Sequence, residues 1–326
     1  MKSLFSEFKN LLEQENTFNI EAFRDEKIDL VIDGEGEGSF TIQGSEQYRF
    51  RDLLWRAGII FPDNEGDIQK SIAETVAHSF NDNRQLALAL DTSLLLQNHV
   101  NRFVKQVQKE YQRQFTITRL PILLVAQATQ YELHHMASSE RKSGGYPKDF
   151  ILPVKIYNSR GRRGKFGAFM LQTLMDRYPL IIAKPGFPML MLKPEGEVAA
   201  QYANISPTSP VFDFLIVEQF TQLSKVTNME ILFLTTDSNL SKVAAQSGLK
   251  AAYLSHGEPI NRKEGLRSRE MVWILIHLLW THDYISVNGE KYCMTKYSNG
   301  KGANLYFKKS NGKRDVFELD VNDRVF

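Results

Sequence analysis

Between Gln85 and Gly248 the chain alternates short apolar runs with longer segments in which apolar residues recur every three or four positions. Leu86–Leu90, Ile122–Val125 and Ile231–Leu234 are too short for helices and contain no Gly or Pro, so they read as strands buried on both faces. Leu95, Val100, Val104, Val107 and Tyr111 predict a helix over Leu94–Tyr111. Further helices are predicted around Tyr131-Glu132-Leu133, over Phe212–Leu223, and over Asn239–Ser247, where Gly248 closes the pattern. Strand, helix, strand, helix implies a parallel sheet with crossover helices, an α/β fold. Leu180–Ile182 and Met189–Leu192 are further apolar runs, with prolines nearby that leave their strand assignment open.

The flanks have a different texture. Ile28–Ile32 and Phe40–Ile42 are short strand patterns around a loop-forming Gly34–Gly38 run, and Ile68, Ile72, Val76 and Phe80 have helical spacing. Residues 1–85 are therefore expected to form an N-terminal accessory region, and residues 86–260 the central domain, with an insertion at about 138–200. Met271–Trp280 reads as an apolar helix. Tyr284–Phe326 reads as short strands separated by the hairpin turns Asn288-Gly289, Asn299-Gly300 and Asn311-Gly312. Residues 261–326 are expected to be a small α+β appendage.

Composition narrows the function classes. At 42% hydrophobic and 24% charged residues a packed core is expected, and a net charge of +2 confines any nucleic-acid-binding surface to a local patch. The single cysteine, Cys293, excludes an intramolecular disulfide and a cysteine-based zinc cluster, which suits a reducing cytoplasm. The first residues have no signal-peptide pattern and no stretch has the length of a membrane span, so a soluble cytoplasmic protein with no membrane partner is expected.

Two of the strands end in carboxylates: Leu90-Asp91-Thr92-Ser93 and Thr235-Thr236-Asp237. In an open α/β sheet the carboxyl ends of strands are where ligands collect, and the α/β reading aims Glu132 and Asp213 at the same edge. Each residue alone has a plainer reading, Asp91 and Asp237 as helix N-caps and Glu132 as part of a solvated helix face. As a set they suit Mg²⁺ or Mn²⁺, hard cations that take oxygen ligands and serve phosphodiester hydrolysis.

With these motifs the chain resembles the PIN-domain nucleases, metal-dependent ribonucleases with a parallel-sheet fold. The resemblance lies in Leu90-Asp91-Thr92-Ser93, Glu132, Asp213 and Thr235-Thr236-Asp237-Ser238-Asn239-Leu240, in the order Asp, Glu, Asp, Asp, and covers about residues 86–255. It implies a PIN-like sheet flanked by helices. It also implies catalysis and metal ligation by Asp91, Glu132, Asp213 and Asp237, with Thr92, Thr236 and Asn239 in support. The expected activity is endoribonuclease cleavage of single-stranded RNA through a metal-activated water. The long interval from Glu132 to Asp213 requires an insertion, and Asn239 stands where many relatives carry another Asp, which leaves the number of metals open.

That insertion is basic. Arg141, Lys142, Arg160, Arg162, Arg163 and Lys165 are candidate phosphate contacts, Gly161, Gly164 and Gly167 suggest flexibility, and Tyr146, Tyr157 and Phe166 offer stacking surfaces. A solvated charged loop is the plainer reading. Single-stranded DNA is the alternative polymer, because nothing legible reads a 2′-hydroxyl. A catalytically inactive PIN-like nucleic-acid-binding or scaffold protein and a metal-dependent phosphatase are the rival functions, and a protein partner or self-association stays open. His134 and His135 point about 100° apart on a helix and cannot serve one metal together. No zinc-protease, serine-hydrolase or P-loop motif is present.

Overall fold

The computed structural model describes residues 2–22, 27–32, 37–43, 47–137, 159–184, 187–189, 210–258, 260, 262–282, 285–295, 305–309 and 316–319. In chain order the elements begin with β1 (Lys2–Ser3), α1 (Leu4–Leu12), β2 (Thr17–Ala22), β3 (Lys27–Ile32), β4 (Gly38–Gln43) and α2 (Gln47–Arg56). Next come α3 (Glu65–Asn81), β5 (Gln85–Leu90), α4 (Thr92–Leu95), α5 (Val100–Phe115), β6 (Ile122–Ala126), α6 (Gln127–Ala137), α7 (Ser159–Arg177), β7 (Leu180–Lys184) and β8 (Phe187–Met189). They are followed by α8 (Pro210–Val226), β9 (Met229–Thr235), α9 (Ser238–Gln246) and β10 (Lys250–Tyr253). The last are β11 (Arg262–Leu266), α10 (Ser268–Thr281), β12 (Ile285–Val287), β13 (Glu290–Thr295), β14 (Leu305–Lys309) and β15 (Val316–Leu319). The chain divides into two compact units, one from residues 1–60, 136–169 and 258–325, the other from 61–135 and 170–257.

The second unit is α/β, built on five parallel strands flanked by helices. The order is β10-β9-β5-β6-β7, with β8 added antiparallel at the β7 edge. Successive strand side chains point to opposite faces, and here both faces are buried. Ala87, Ala89, Leu124, Ala126, Ile231 and Phe233 pack with Phe212, Ile216 and Phe220 of α8 and Leu240 and Ala244 of α9. Leu86, Leu88, Leu90, Leu232 and Leu234, on the alternate positions, are also fully enclosed, and α3 packs along β5, β9 and β10. Burial on two faces explains why these strands carry unbroken apolar runs rather than alternation.

The strand order reverses between β5 and β9. These strands pair with Leu90 opposite Leu234, so their carboxyl ends finish level. The crevice between neighbours whose crossovers run in opposite directions is where open α/β sheets take ligands. The helix predicted from Leu94 is two helices, because α4 stops after Leu95 and α5 starts at Val100, with Gln97, Asn98 and His99 buried between them. Asn and His are weak helix formers, and the apolar spacing alone did not register the break.

The first unit holds a nine-stranded sheet of order β1-β15-β14-β13-β12-β2-β3-β4-β11, antiparallel except for β1 with β15. Strands from both ends of the chain thus share one sheet, whereas the sequence pattern separates residues 1–85 from 261–326 and groups α3 with the former. Pairing across such a distance leaves no periodic trace in sequence, and α3 carries its apolar stripe whichever sheet it covers. Asn288 and Gly289, with φ of 49° and 84°, form the expected two-residue turn between β12 and β13, a geometry glycine takes without a Cβ penalty. The Asn299-Gly300 and Asn311-Gly312 turns and the Leu190–Leu192 run lie outside the described residues.

Residues 159–177 form a helix rather than a flexible segment. Gly161, Gly164 and Gly167 recur every third residue of α7, and a Cβ on Gly164 would fall 2.2 Å from the backbone nitrogen of Ala137. Glycine here permits close approach of α7 to the last turn of α6.

Candidate functional site

The site is built at the carboxyl ends of β5 and β9. Asp91 follows β5 directly, and its amide donates to the carbonyl of Leu234 at 3.3 Å, carrying the ladder one step past the strand. Level strand ends place Thr235 beside it, and the Thr235 hydroxyl donates to Asp91 Oδ2 at 2.8 Å. Ser93 donates to the same oxygen at 2.7 Å. Thr235 Oγ1 also accepts from the Asp237 amide at 3.0 Å, and Ser93 Oγ accepts from the Thr236 amide at 3.4 Å. Two hydroxyls therefore lace both strand-end motifs together around one carboxylate.

Asp91 is only 6% exposed, and no side-chain hydrogen bond makes it a cap for α4. Burial pushes its carboxyl above the usual range, outweighing the hydrogen bonds from Ser93, Thr235 and the Thr92 backbone, and the nearby charge of Asp237 pushes the same way. Asp213, on the first turn of α8, is exposed to solvent. The surrounding chain nevertheless raises its carboxyl too, with the charges of Asp91 and Asp237 adding to the effect. The charge of Asp237 thus acts on both Asp91 and Asp213, and that of Asp91 on Asp213, across one site. Glu132 is tied to it through Thr92, whose hydroxyl donates to Glu132 Oε2 at 2.6 Å.

Asp237 is also the N-cap of α9, its Oδ1 accepting from the amides of Asn239 at 2.7 Å and Leu240 at 3.0 Å. Both aspartates stand at N-cap positions, Asp237 with a capping side chain and Asp91 without one. Of the three supporting residues expected from sequence, Thr92 holds Glu132, while Thr236 and Asn239 reach the site through backbone amides, Asn239 being exposed. The hydroxyls on Asp91 belong instead to Ser93 and Thr235. Both stood within the quoted motifs, and the signal for Ser93 was its place two residues after Asp91, where a hydroxyl reaches back to a carboxylate.

Among the described residues no group of three or more His, Cys, Asp or Glu side chains is gathered as a ready-made metal cage. Mg²⁺ is commonly held by one or two carboxylates while it keeps several waters, and Asp91 and Asp213 are the residues here that could serve as such donors. The basic residues divide differently from expectation. Arg162 is 1% exposed and so is not placed as a surface phosphate contact. Arg163 is exposed and Lys165 half-buried, both in the first unit. Arg141, Lys142 and the side chain of Arg160 lie outside the described residues. Among the described residues no helix is long and apolar enough to cross a membrane.

No protein-family model matches the chain, and no curated protein and no solved structure is significantly similar to it.

Proposed function

We propose that this chain is a Mg²⁺- or Mn²⁺-dependent endoribonuclease of PIN type that hydrolyses single-stranded RNA. The observation that carries this reading is the meeting of Asp91 and Asp237 at the level carboxyl ends of β5 and β9, laced together by Ser93 and Thr235 at the point where the strand order reverses, with the charges of both acting on Asp213. A carboxylate held above its ordinary range by burial and neighbouring negative charge, as Asp91 and Asp213 are, is relieved by a cation, and polar sites at this edge are where such folds work on ligands. A bound divalent cation would supply charge stabilisation on the phosphoryl oxygens and a more acidic water. Ser93 and Thr235 fix the orientation of Asp91, and Thr92 fixes that of Glu132. Asp237 commits Oδ1 to α9 and still contributes its charge to the group.

Two observations favour a non-catalytic nucleic-acid-binding protein instead: Asp237 is already engaged as a cap, and the described carboxylates are not gathered into a cage. The two readings separate on labelled single-stranded RNA and DNA incubated with Mg²⁺ or Mn²⁺. Asp91→Asn and Asp237→Asn should each slow cleavage by about a hundredfold or more, the scale of losing one electrostatic element of an active site. Asn caps helices about as well as Asp, so loss in Asp237→Asn reports charge rather than folding. Wild-type rates in both variants sink the proposed site, and RNA binding that is indifferent to EDTA and to both substitutions establishes the rival.

A further inference from the structure

The seam where C-terminal strands join N-terminal ones ends in a single side chain. β12 pairs with β2 as far as Val287 opposite Ile20, and the next residue, Asn288, turns away with a φ of 49°. Its backbone amide donates to the carbonyl of Asn19 at 3.0 Å, and its side-chain Oδ1 accepts from the Asn19 amide at 2.9 Å, so the side chain supplies the acceptor for the last rung of the ladder. Its Nδ2 donates to the carboxylate of Glu15. Both polar atoms of this amide are therefore held, by residues 269 and 273 positions away in the chain. The residue that follows is Gly289, which has no side chain and has open space where a Cβ would stand. Asn288, Gly289 and Glu15 are all exposed to water.

Asparagine before glycine is open to attack from its own backbone. The glycine nitrogen adds to the asparagine Cγ and gives up its proton to solvent, the side-chain nitrogen leaves as ammonia, and water opens the resulting five-membered imide to aspartate or isoaspartate. No oxidant, reductant or second protein enters. For Asn288 to react, Cγ must swing onto the Gly289 nitrogen, and that movement requires the amide to release Asn19 and Glu15. We infer that Asn288-Gly289 is a deamidation site latched by Glu15 and the Asn19 amide, so that conversion follows local opening of the β2–β12 seam and not exposure alone. The product keeps the seam loosened. The new carboxylate at position 288 puts a negative charge opposite Glu15 where a donor stood, and the isoaspartyl form also adds a methylene to a two-residue turn. This assignment is independent of the nuclease reading.

The test is peptide mapping of aspartate and isoaspartate at position 288 after incubation of the full chain at mildly alkaline pH, for wild type, Glu15→Ala and Glu15→Gln, and for wild type unfolded in urea. Folded wild type should convert at least about tenfold more slowly than the unfolded chain, the combined factor of the two side-chain hydrogen bonds that must break. Glu15→Ala should speed conversion in the folded protein about two- to tenfold, the factor of one ordinary hydrogen bond. Glu15→Gln keeps a side-chain carbonyl to accept from Nδ2 and should stay near the wild-type rate. Conversion of folded wild type as fast as in urea overturns the latch, as do equal rates in wild type and Glu15→Ala. A Glu15→Gln rate matching that of Glu15→Ala assigns the protection to the charge of Glu15 and overturns the latch as well.

Discussion

Asp91 combines two properties that rarely serve stability: it is buried, and its carboxyl is shifted toward the neutral form. A group whose folded pKa lies above its unfolded value favours folding at pH below about 3.9, and that contribution is lost as pH rises through the folded value. At neutral pH, where the carboxyl of the unfolded chain is ionised, the raised pKa of Asp91 therefore weighs against the folded state of the cation-free protein. Asp91→Asn should raise stability there by about 0.5–2 kcal/mol, the range common for single stabilising substitutions, with the gain shrinking to nothing on acidification. Chemical denaturation of the cation-free protein at pH 7 and below pH 4 measures this; a destabilised variant at pH 7 contradicts it. Saturating Mg²⁺ or Mn²⁺ should stabilise the wild type by linkage and leave Asp91→Asn unmoved. Legibility at this scale was uneven. Asp91 and Asp237 could be read because a strand end fixes where the next residue goes. Ser93 carried only a local signal, its place two residues after Asp91, and Thr235 escaped selection because its role depends on β5 and β9 finishing level, a register that spacing within one strand does not carry.

At the scale of elements, the parallel strands β5, β6 and β9 were legible because burial on both faces writes itself as an apolar run. Helix α7 was not, because glycine ordinarily signals a loop, and the helical use of Gly164 answers to a neighbour, not to the local chain. The two views predict opposite signs for one substitution. Intrinsic propensity makes Gly164→Ala stabilising by up to about 1 kcal/mol. The close approach to Ala137 makes it destabilising by about 1–3 kcal/mol, since a backbone atom cannot swing aside as a side chain would. Thermal unfolding of Gly164→Ala decides the sign, and a higher melting temperature would refute the packing described here.

At the scale of the whole molecule, the linear division into accessory region, central domain and appendage missed that β2 pairs with β12 and β4 with β11. Local pattern reveals what an element is; which distant element completes its ladder is decided by packing. Truncation after Gly257 should therefore do more than remove an appendage. It would uncover the hydrogen-bonding edges of β2 and β4, and unprotected strand edges recruit other chains. Size-exclusion chromatography of such a fragment should show aggregates, and a soluble monomer would show that the β2–β4 strands stand without their C-terminal partners. The same pairing has a consequence for biosynthesis. Strands β2–β4 leave the ribosome more than two hundred residues before β11 and β12, which at ~5–20 residues per second is a wait on the order of 10–50 s. For that interval the nascent chain carries a half-finished sheet, so the cell's capacity to shield it, more than the strength of the finished fold, would govern how much protein reaches the native state.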